Sequence, residues 1–351
     1  MPSSARPAPR RPRARPLVIA HRGASGYLPE HTLAAYAVAA LQGADFVEPD
    51  LVVTRDGHLI ARHDNRLDLT TDVAAHAEFA ARRTCRQVDG AESEGWFSED
   101  FTLAELRRLR ARERLPDLRP GSARFDGRFG IPTFEEVLVL ARALERFLGR
   151  PVGICPEIKH PSYFAARGLP LEAPLLAALR AHGYEAQPER VYIQSFEIAS
   201  LERLRQRTRL PLLQLLLPED RPGDVVRAGG TLTYREMTTP AGLARIARYA
   251  DAIGPDKNQI VAPDAAGRVM PERASDLIAQ AHAHGLEVLP YTFRAENAFL
   301  PACFRSSDTP DETGDLAAEL ACFLALGVDG FFIDQPDVGA RLRDRAPAGP
   351  R

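Results

Sequence analysis

Residues 17–65, LVIAHRGASGYLPEHTLAAYAVAALQGADFVEPDLVVTRDGHLIARHDN, decide the fold. Two short apolar runs each end in polar, chemically capable residues. Residues 17–20 have the composition of a buried strand and run into His21-Arg22-Gly23. Residues 46–53 have that of a second strand, which carries Glu48 and Asp50. Side chains two apart on a strand share a face, so these carboxylates project together. Residues 32–42, between the runs, are alanine-rich and helical in composition. Strand, helix, strand in that order is a βαβ unit of a parallel sheet. Two adjacent carboxylates repel unless a cation or a proton lies between them, which is the first pointer to a metal.

Downstream, residues 57–63 form a short return strand after the Arg55-Asp56-Gly57 turn, ending at His63-Asp64-Asn65. Further strands are expected over 152–158, 191–195, 211–217, 251–254, 286–292 and 329–333. Helices separate them, over 171–182, 198–207, 240–249, 274–284 and 315–326, and Thr133 to Glu136 has the pattern of a capping box. With the two front strands the count is eight parallel strands, which predicts an α/β chain folded as a (β/α)8 TIM barrel over residues 17–345. Residues 66–130 lose this periodicity and are expected to form an insertion after the second βα region, over one mouth of the barrel. The decisive pattern is positional. His21, Glu48, Asp50, Glu157, Lys159, Gln194, Tyr291 and Asp334 all fall at or just past the carboxyl end of a predicted strand, where barrels carry their chemistry.

The chain has 351 residues, 45% apolar, with a net charge of −2, so no general attraction to nucleic acid is implied. Cys85, Cys155, Cys303 and Cys322 form no CxxC and suggest neither a zinc site nor a disulfide framework. Residues 1–16 are rich in arginine and proline without an acid, and read as a disordered tail. A disordered basic arm can also bind phosphate nonspecifically. No apolar run meets the criteria for a signal peptide or a membrane span. The expected location as written is cytoplasmic, with a periplasmic or secreted one as the alternative where the true start lies upstream. Lys159 and Lys257 are the only lysines in a chain that otherwise uses arginine. A compact ammonium at 159 is therefore a candidate chemical choice, chance being the alternative.

Glu48, Asp50 and Glu157 supply three hard oxygen donors from two predicted strands, a set suited to Mg²⁺ or Ca²⁺ rather than zinc. The ordinary alternative is a set of salt-bridged acids. His21 and His63 are the candidate acid and base, since imidazole titrates near neutrality. Arg22 and Lys159 are candidates to hold phosphate oxygens; for Lys159 the plain alternative is a salt bridge to Glu157. Gln194, Phe196 and Tyr291 read as substrate-side contacts, although an aromatic residue at a strand end is often packing. Glu30 is placed to support the metal or hold Arg22, Thr32 to cap the following helix, and Asp334 to hold neighbouring basic residues. Lys257 either reaches a phosphate or is exposed.

HRGASGYLPEHTLAAY from His21, EPDLVVTRDGHLIARHD from Glu48, PEIKHP, YIQSF, IGPD, PYT and GVDGFFIDQPD from Gly327 resemble, in this order, the glycerophosphodiester phosphodiesterase family. The resemblance is closest to its calcium-dependent bacterial periplasmic branch. It implies metal-dependent hydrolysis of a glycerophosphodiester, such as glycerophosphocholine or glycerophosphoethanolamine, to sn-glycerol 3-phosphate and an alcohol. It further implies one divalent cation on Glu48, Asp50 and Glu157, Ca²⁺ ahead of Mg²⁺, with phosphate contact from Arg22 and proton transfer by His21 and His63. Attack by the glycerol hydroxyl through a cyclic phosphate and direct attack by water both stay open. The alternative activity is a lysophospholipase D-like one on lipids, for which Trp96, Phe97 and Phe101 are the candidate apolar contacts in the insertion. Where many family members have a tryptophan shortly after the Tyr-Thr pair, this chain has Phe293-Arg294, so the alcohol pocket fits the resemblance least.

Overall fold

The structure is a computed structural model that describes residues 15–345. The tail expected over residues 1–16 lies outside the described residues up to position 14. The strands are β1 (Leu17–His21), β2 (Phe46–Glu48), β3 (Asp50–Val53), β4 (Leu59–Ala61), β5 (Thr84–Val88), β6 (Ala91–Gly95), β7 (Gly153–Ile154), β8 (Glu157–Ile158), β9 (Ile193–Ser195), β10 (Leu212–Leu216), β11 (Ala252–Pro255), β12 (Glu287–Val288) and β13 (Gly330–Ile333). They pair in the orders β13-β1-β2-β7 and β12-β11-β10-β9-β8-β3-β4, with β5-β6 apart. All pairs in the two larger sheets are parallel except β3 with β4. The chain is thus α/β.

Residues 46–53 and 152–158, each expected as one strand, are both split. Pro49 and Pro156 have no N–H to give to a ladder, so β2 breaks from β3 and β7 from β8 there. Continuity is kept by neighbours: Cys155 N donates to Val47 O at 3.0 Å and Glu157 N to Pro49 O at 2.9 Å. Pro290 likewise shortens the strand expected over 286–292. Between the β12 segment and β13, Asp329 N donates to Val288 O, Phe332 N to Pro290 O and Phe293 N to Phe332 O.

Two cores follow from strand alternation. Val18, Ala20, Val47, Ile154, Ile193 and Ile333 pack outward against the helices. Leu17, Ile19, Phe46, Cys155, Tyr192, Leu213, Leu289 and Phe332 form a second cluster on the opposite faces of the strands. Counting on by two from that inner set reaches His21, Glu48 and Asp50, Glu157 and Lys159, Gln194, Tyr291 and Asp334. The two-residue period of a strand therefore carries the inner face up to the chemistry.

The helix Leu33–Leu41 starts as expected, with the Thr32 side chain accepting from Ala35 N, and the Thr133–Glu136 capping box opens the helix Phe134–Leu148. The helix Leu103–Leu106, within 66–130, is a single turn opened by a capping box at Thr102. Within 66–130 the β5-β6 hairpin turns at Asp89-Gly90, both at positive φ. Asp-Gly is a residue pair that such a tight turn favours. No helix among the described residues is long and apolar enough to cross a membrane.

Candidate active site

One cavity is lined by His21, Arg22, Glu48, His63, Glu157, Lys159, Gln194, Phe196, Tyr291 and Arg294 among others. The two histidines, both candidate phosphate cations, Gln194, Phe196, Tyr291 and two of the three carboxylates singled out from the sequence are there, and the third, Asp50, lies within 4.8 Å of the other two. Larger grooves lie elsewhere on the surface; one, between the helices Leu33–Leu41 and Phe134–Leu148, holds neither the carboxylate set nor the two histidines.

Glu48, Asp50 and Glu157 are buried, and one ligand oxygen of each lies within 4.8 Å of the others. Left to themselves these carboxylates resist ionisation. Burial, then Asp50 and Glu157, push Glu48 well above the usual carboxylate range, and burial raises Glu157 to about 8 despite Lys159. Burial acts on Asp50 in the same sense, but Lys159 and a hydrogen bond from His31 outweigh it and hold Asp50 well below that range. Gln194 supplies an independent sign of a cation. Its Nε2 donates to Glu48 Oε1 at 3.0 Å and to Cys155 O at 3.2 Å, which fixes the amide, while Oε1 is buried with no partner among the described residues. Three carboxylates and an unpaired amide oxygen fit a divalent cation.

Metal-stripped protein is expected to lose thermal stability as pH rises from about 6.5 to about 8. The folded value of Glu157 lies above its unfolded one, so the native state keeps a proton that the unfolded chain has released. That contribution is lost as pH climbs through the folded value. His21 and His63, with lowered values, work in the opposite sense but only below about 6.5. Scanning calorimetry with and without Ca²⁺ checks this: a metal-free midpoint that stays level across the window contradicts the account.

The two histidines are each oriented by an acid. His21 Nδ1 lies 2.7 Å from Asp334 Oδ1, and His63 Nδ1 lies 3.0 Å from Asp64 Oδ1. Their Nε2 atoms are thereby turned to other partners, and that of His63 is 3.3 Å from Lys159 Nζ. Burial and then Arg22 lower the His21 imidazole to about 4, against the pull of Asp334. Burial, Arg22 and Lys159 lower His63 to about 3. Both are therefore neutral proton acceptors at neutral pH until an anion enters beside them.

Arg22 sits at φ +59, a strained setting for a non-glycine residue, and Gly23 follows because a Cβ there would meet the Ala35 backbone at 2.7 Å. The Arg22 amide donates to Glu48 Oε2 at 2.8 Å and its guanidinium to Glu30 Oε2 at 2.9 Å. Glu30 thus holds Arg22, as one of its two expected roles has it. Lys159 Nζ pairs with Glu157 Oε1 at 2.8 Å and lies 5.4 Å from the centre of the Phe196 ring. Asp334 does hold basic residues: Arg119, Arg294 and His21 all bond it. His31 is structural, bridging Tyr36 and Asp50.

Some readings are corrected. Lys257 neither reaches the cavity nor is exposed; it is buried, and its Nζ pairs with Glu319 at 2.6 Å. Trp96, Phe97 and Phe101, the candidate lipid contacts, are buried, and the indole of Trp96 donates to Phe79 O. The Tyr291 hydroxyl is taken up by Leu216 O at 2.9 Å, so the cavity receives its ring. Sequence reasoning missed Arg114 and Arg119, which reach in from the irregular stretch 66–130 to Glu30 and Asp64, and to Glu296 and Asp334. Nothing local in the sequence marks these partners. It also gave Arg294 no role, although its place three residues after Tyr291 put it at the mouth.

The chain belongs to the glycerophosphoryl diester phosphodiesterase family, whose model matches residues 21–338. Among its relatives is glycerophosphodiester phosphodiesterase GDPD6 of Arabidopsis thaliana, 38% identical over 349 residues that cover 95% of this chain and 88% of that protein. The glycerophosphodiester phosphodiesterase of Haemophilus influenzae is 31% identical over 346 residues, covering 93% and 89%. In fold the chain is similar to a glycerophosphodiester phosphodiesterase from Agrobacterium tumefaciens (TM-score 0.56, 21% identity, covering 93% and 99%). It is also similar to an Oleispira antarctica phosphodiesterase solved in complex with the product sn-glycerol-3-phosphate (TM-score 0.57, 19% identity, covering 94% and 97%).

Proposed function

We infer that the chain hydrolyses glycerophosphodiesters to sn-glycerol 3-phosphate and an alcohol on a (β/α)8 barrel. The observation that carries this is the convergence of a three-carboxylate set, two acid-oriented histidines and two cations on one cavity. The hydrogen bonds between the β12 segment and β13 support a barrel, since they join the ends of the two sheets. The site residues then divide the work. Arg22 and Lys159 hold the phosphate oxygens, on which negative charge gathers as phosphorus is attacked. One histidine takes the proton of the attacking oxygen and the other gives a proton to the leaving alkoxide. Asp64 and Asp334 keep each imidazole in one orientation and stabilise its charged form. Glu48, Asp50 and Glu157 would hold the divalent ion, which supplies Lewis-acid polarisation and a template for the reacting oxygens. Ca²⁺ suits the set better than Mg²⁺, because three carboxylates come from the protein, and Ca²⁺ accepts more protein oxygens in looser geometry.

Metal-stripped protein is expected to release no glycerol 3-phosphate from a glycerophosphodiester, and to regain release when Ca²⁺ or Mg²⁺ is returned, with Ca²⁺ the more effective. A coupled assay for glycerol 3-phosphate reads this directly. Undiminished release from metal-free protein would overturn the role given to the carboxylates. No release with either ion from folded protein would overturn the activity.

A further inference from the structure

The cavity has a third cation that the reaction above does not use. Arg294 lines it beside His21, about a quarter of its side chain exposed. Its Nε donates to Asp334 Oδ2 at 3.0 Å, and its guanidinium lies 4.6 Å from the centre of the Phe299 ring. Among the described residues neither terminal nitrogen donates a hydrogen bond. The other two cations of the cavity are more fully engaged: Arg22 is paired with Glu30 and Asp50, and Lys159 with Glu157. One edge of the Arg294 fork is anchored and the other is available, a pre-organised donor pair.

Strand order fixes which end of the substrate it meets. The metal-ligand carboxylates lie at the end of β2 and the starts of β3 and β8, to one side of β1, whereas Asp334 and Arg294 follow β13 and the β12 segment, to the other side. His21 stands between them at the end of β1. In displacement at phosphorus the entering and leaving oxygens lie roughly in line on opposite sides. With the glycerol moiety on the carboxylate side, the departing alcohol points past His21 toward Arg294.

We propose that Arg294 is a specificity-determining residue, and that its free edge receives two neighbouring oxygens of the leaving alcohol, selecting a polyol such as glycerol over a quaternary ammonium such as choline. The idea rests on the hydrolytic reading above. A planar guanidinium matches paired oxygens in a bidentate fashion and repels a fixed positive charge. Most features that would welcome choline at this end are already occupied, the Tyr291 ring excepted. Asp334 is shared by Arg119, Arg294 and His21, Glu296 is held by Arg119, and the Phe299 ring faces Arg294.

The test is the ratio of kcat/KM for glycerophosphoglycerol to that for glycerophosphocholine, in metal-loaded wild type, Arg294→Gln and Arg294→Lys. The wild-type ratio is expected to exceed about tenfold, and Arg294→Gln to reduce it by about tenfold or more, the effect of losing a charged bidentate contact. Arg294→Lys, which keeps the charge but not the fork, is expected to fall between. Damage passed through Asp334 and His21 strikes both substrates alike and cancels in the ratio. Should Arg294→Gln fail to fold, the wild-type ratio and Arg294→Lys decide. A wild-type ratio near or below one overturns the proposal, as does a ratio that neither substitution moves. Hydrolysis of both substrates with the wrong preference overturns this inference alone; hydrolysis of neither overturns the underlying reading and this with it.

Discussion

Replacing His21 by Ala is expected to lower kcat for glycerophosphodiester hydrolysis by about 10²–10⁴-fold, the usual worth of a positioned proton-transfer group. The fold should survive, because Asp334 keeps Arg119 and Arg294 as partners when the imidazole is gone. His63→Ala should cost as much for the same reason, with Asp64 still held by Arg114. The pair can then be told apart. A diester with a nitrophenyl leaving group needs no proton on departure, so the variant missing the general acid recovers on it and the variant missing the base does not. A loss below about tenfold on the natural substrate class in His21→Ala would remove that residue from the chemistry.

Asp50→Asn is expected to weaken metal binding by at least about 100-fold and to lower activity with it, since even the outer partners of metal ligands are worth 10–100-fold. The substitution keeps shape and removes charge. Asp50 is also the acceptor for His31 Nε2 at 2.9 Å and lies 3.3 Å from Arg22 Nε, and an amide can serve there through its oxygen. Calorimetric titration with Ca²⁺ measures affinity, and rates at saturating ion separate lost binding from lost chemistry. Unchanged affinity would show that the cation sits elsewhere than on this carboxylate set.

The part of this molecule that was legible in its sequence is the part governed by short periods. Alternation along each strand, together with the place where each apolar run stops, put His21, Glu48, Glu157, Gln194 and Asp334 at one end before any contact was known. The breaks at Pro49 and Pro156 were also readable in principle, since proline cannot donate to a ladder. What escaped notice depends on pairing at a distance. Arg119 meets Asp334 215 positions away, and Lys257 meets Glu319 62 positions away. Charged residues in irregular segments look solvated until a partner is found, which is why Lys257 was misjudged and Arg114 and Arg119 were overlooked. The β5-β6 hairpin had a local signal in Asp89-Gly90, but its strands are polar and mostly not buried, so the apolar pattern was weak.

The reach of Arg114 and Arg119 out of residues 66–130 limits how far this chain can be pared down. A shortened version lacking residues 66–130 would keep every group proposed above to touch the substrate, yet it would leave Glu30 without one of its two arginines. Glu296 would lose the guanidinium that binds it, and Asp64 and Asp334 would each lose one. Buried acids deprived of their counter-charges tend to take up protons or draw in water. The imidazoles that Asp64 and Asp334 align would lose their bearing with them. An engineer seeking a minimal catalyst from this scaffold would have to carry two guanidinium groups across, or replace both acids with neutral partners, before trimming the loop.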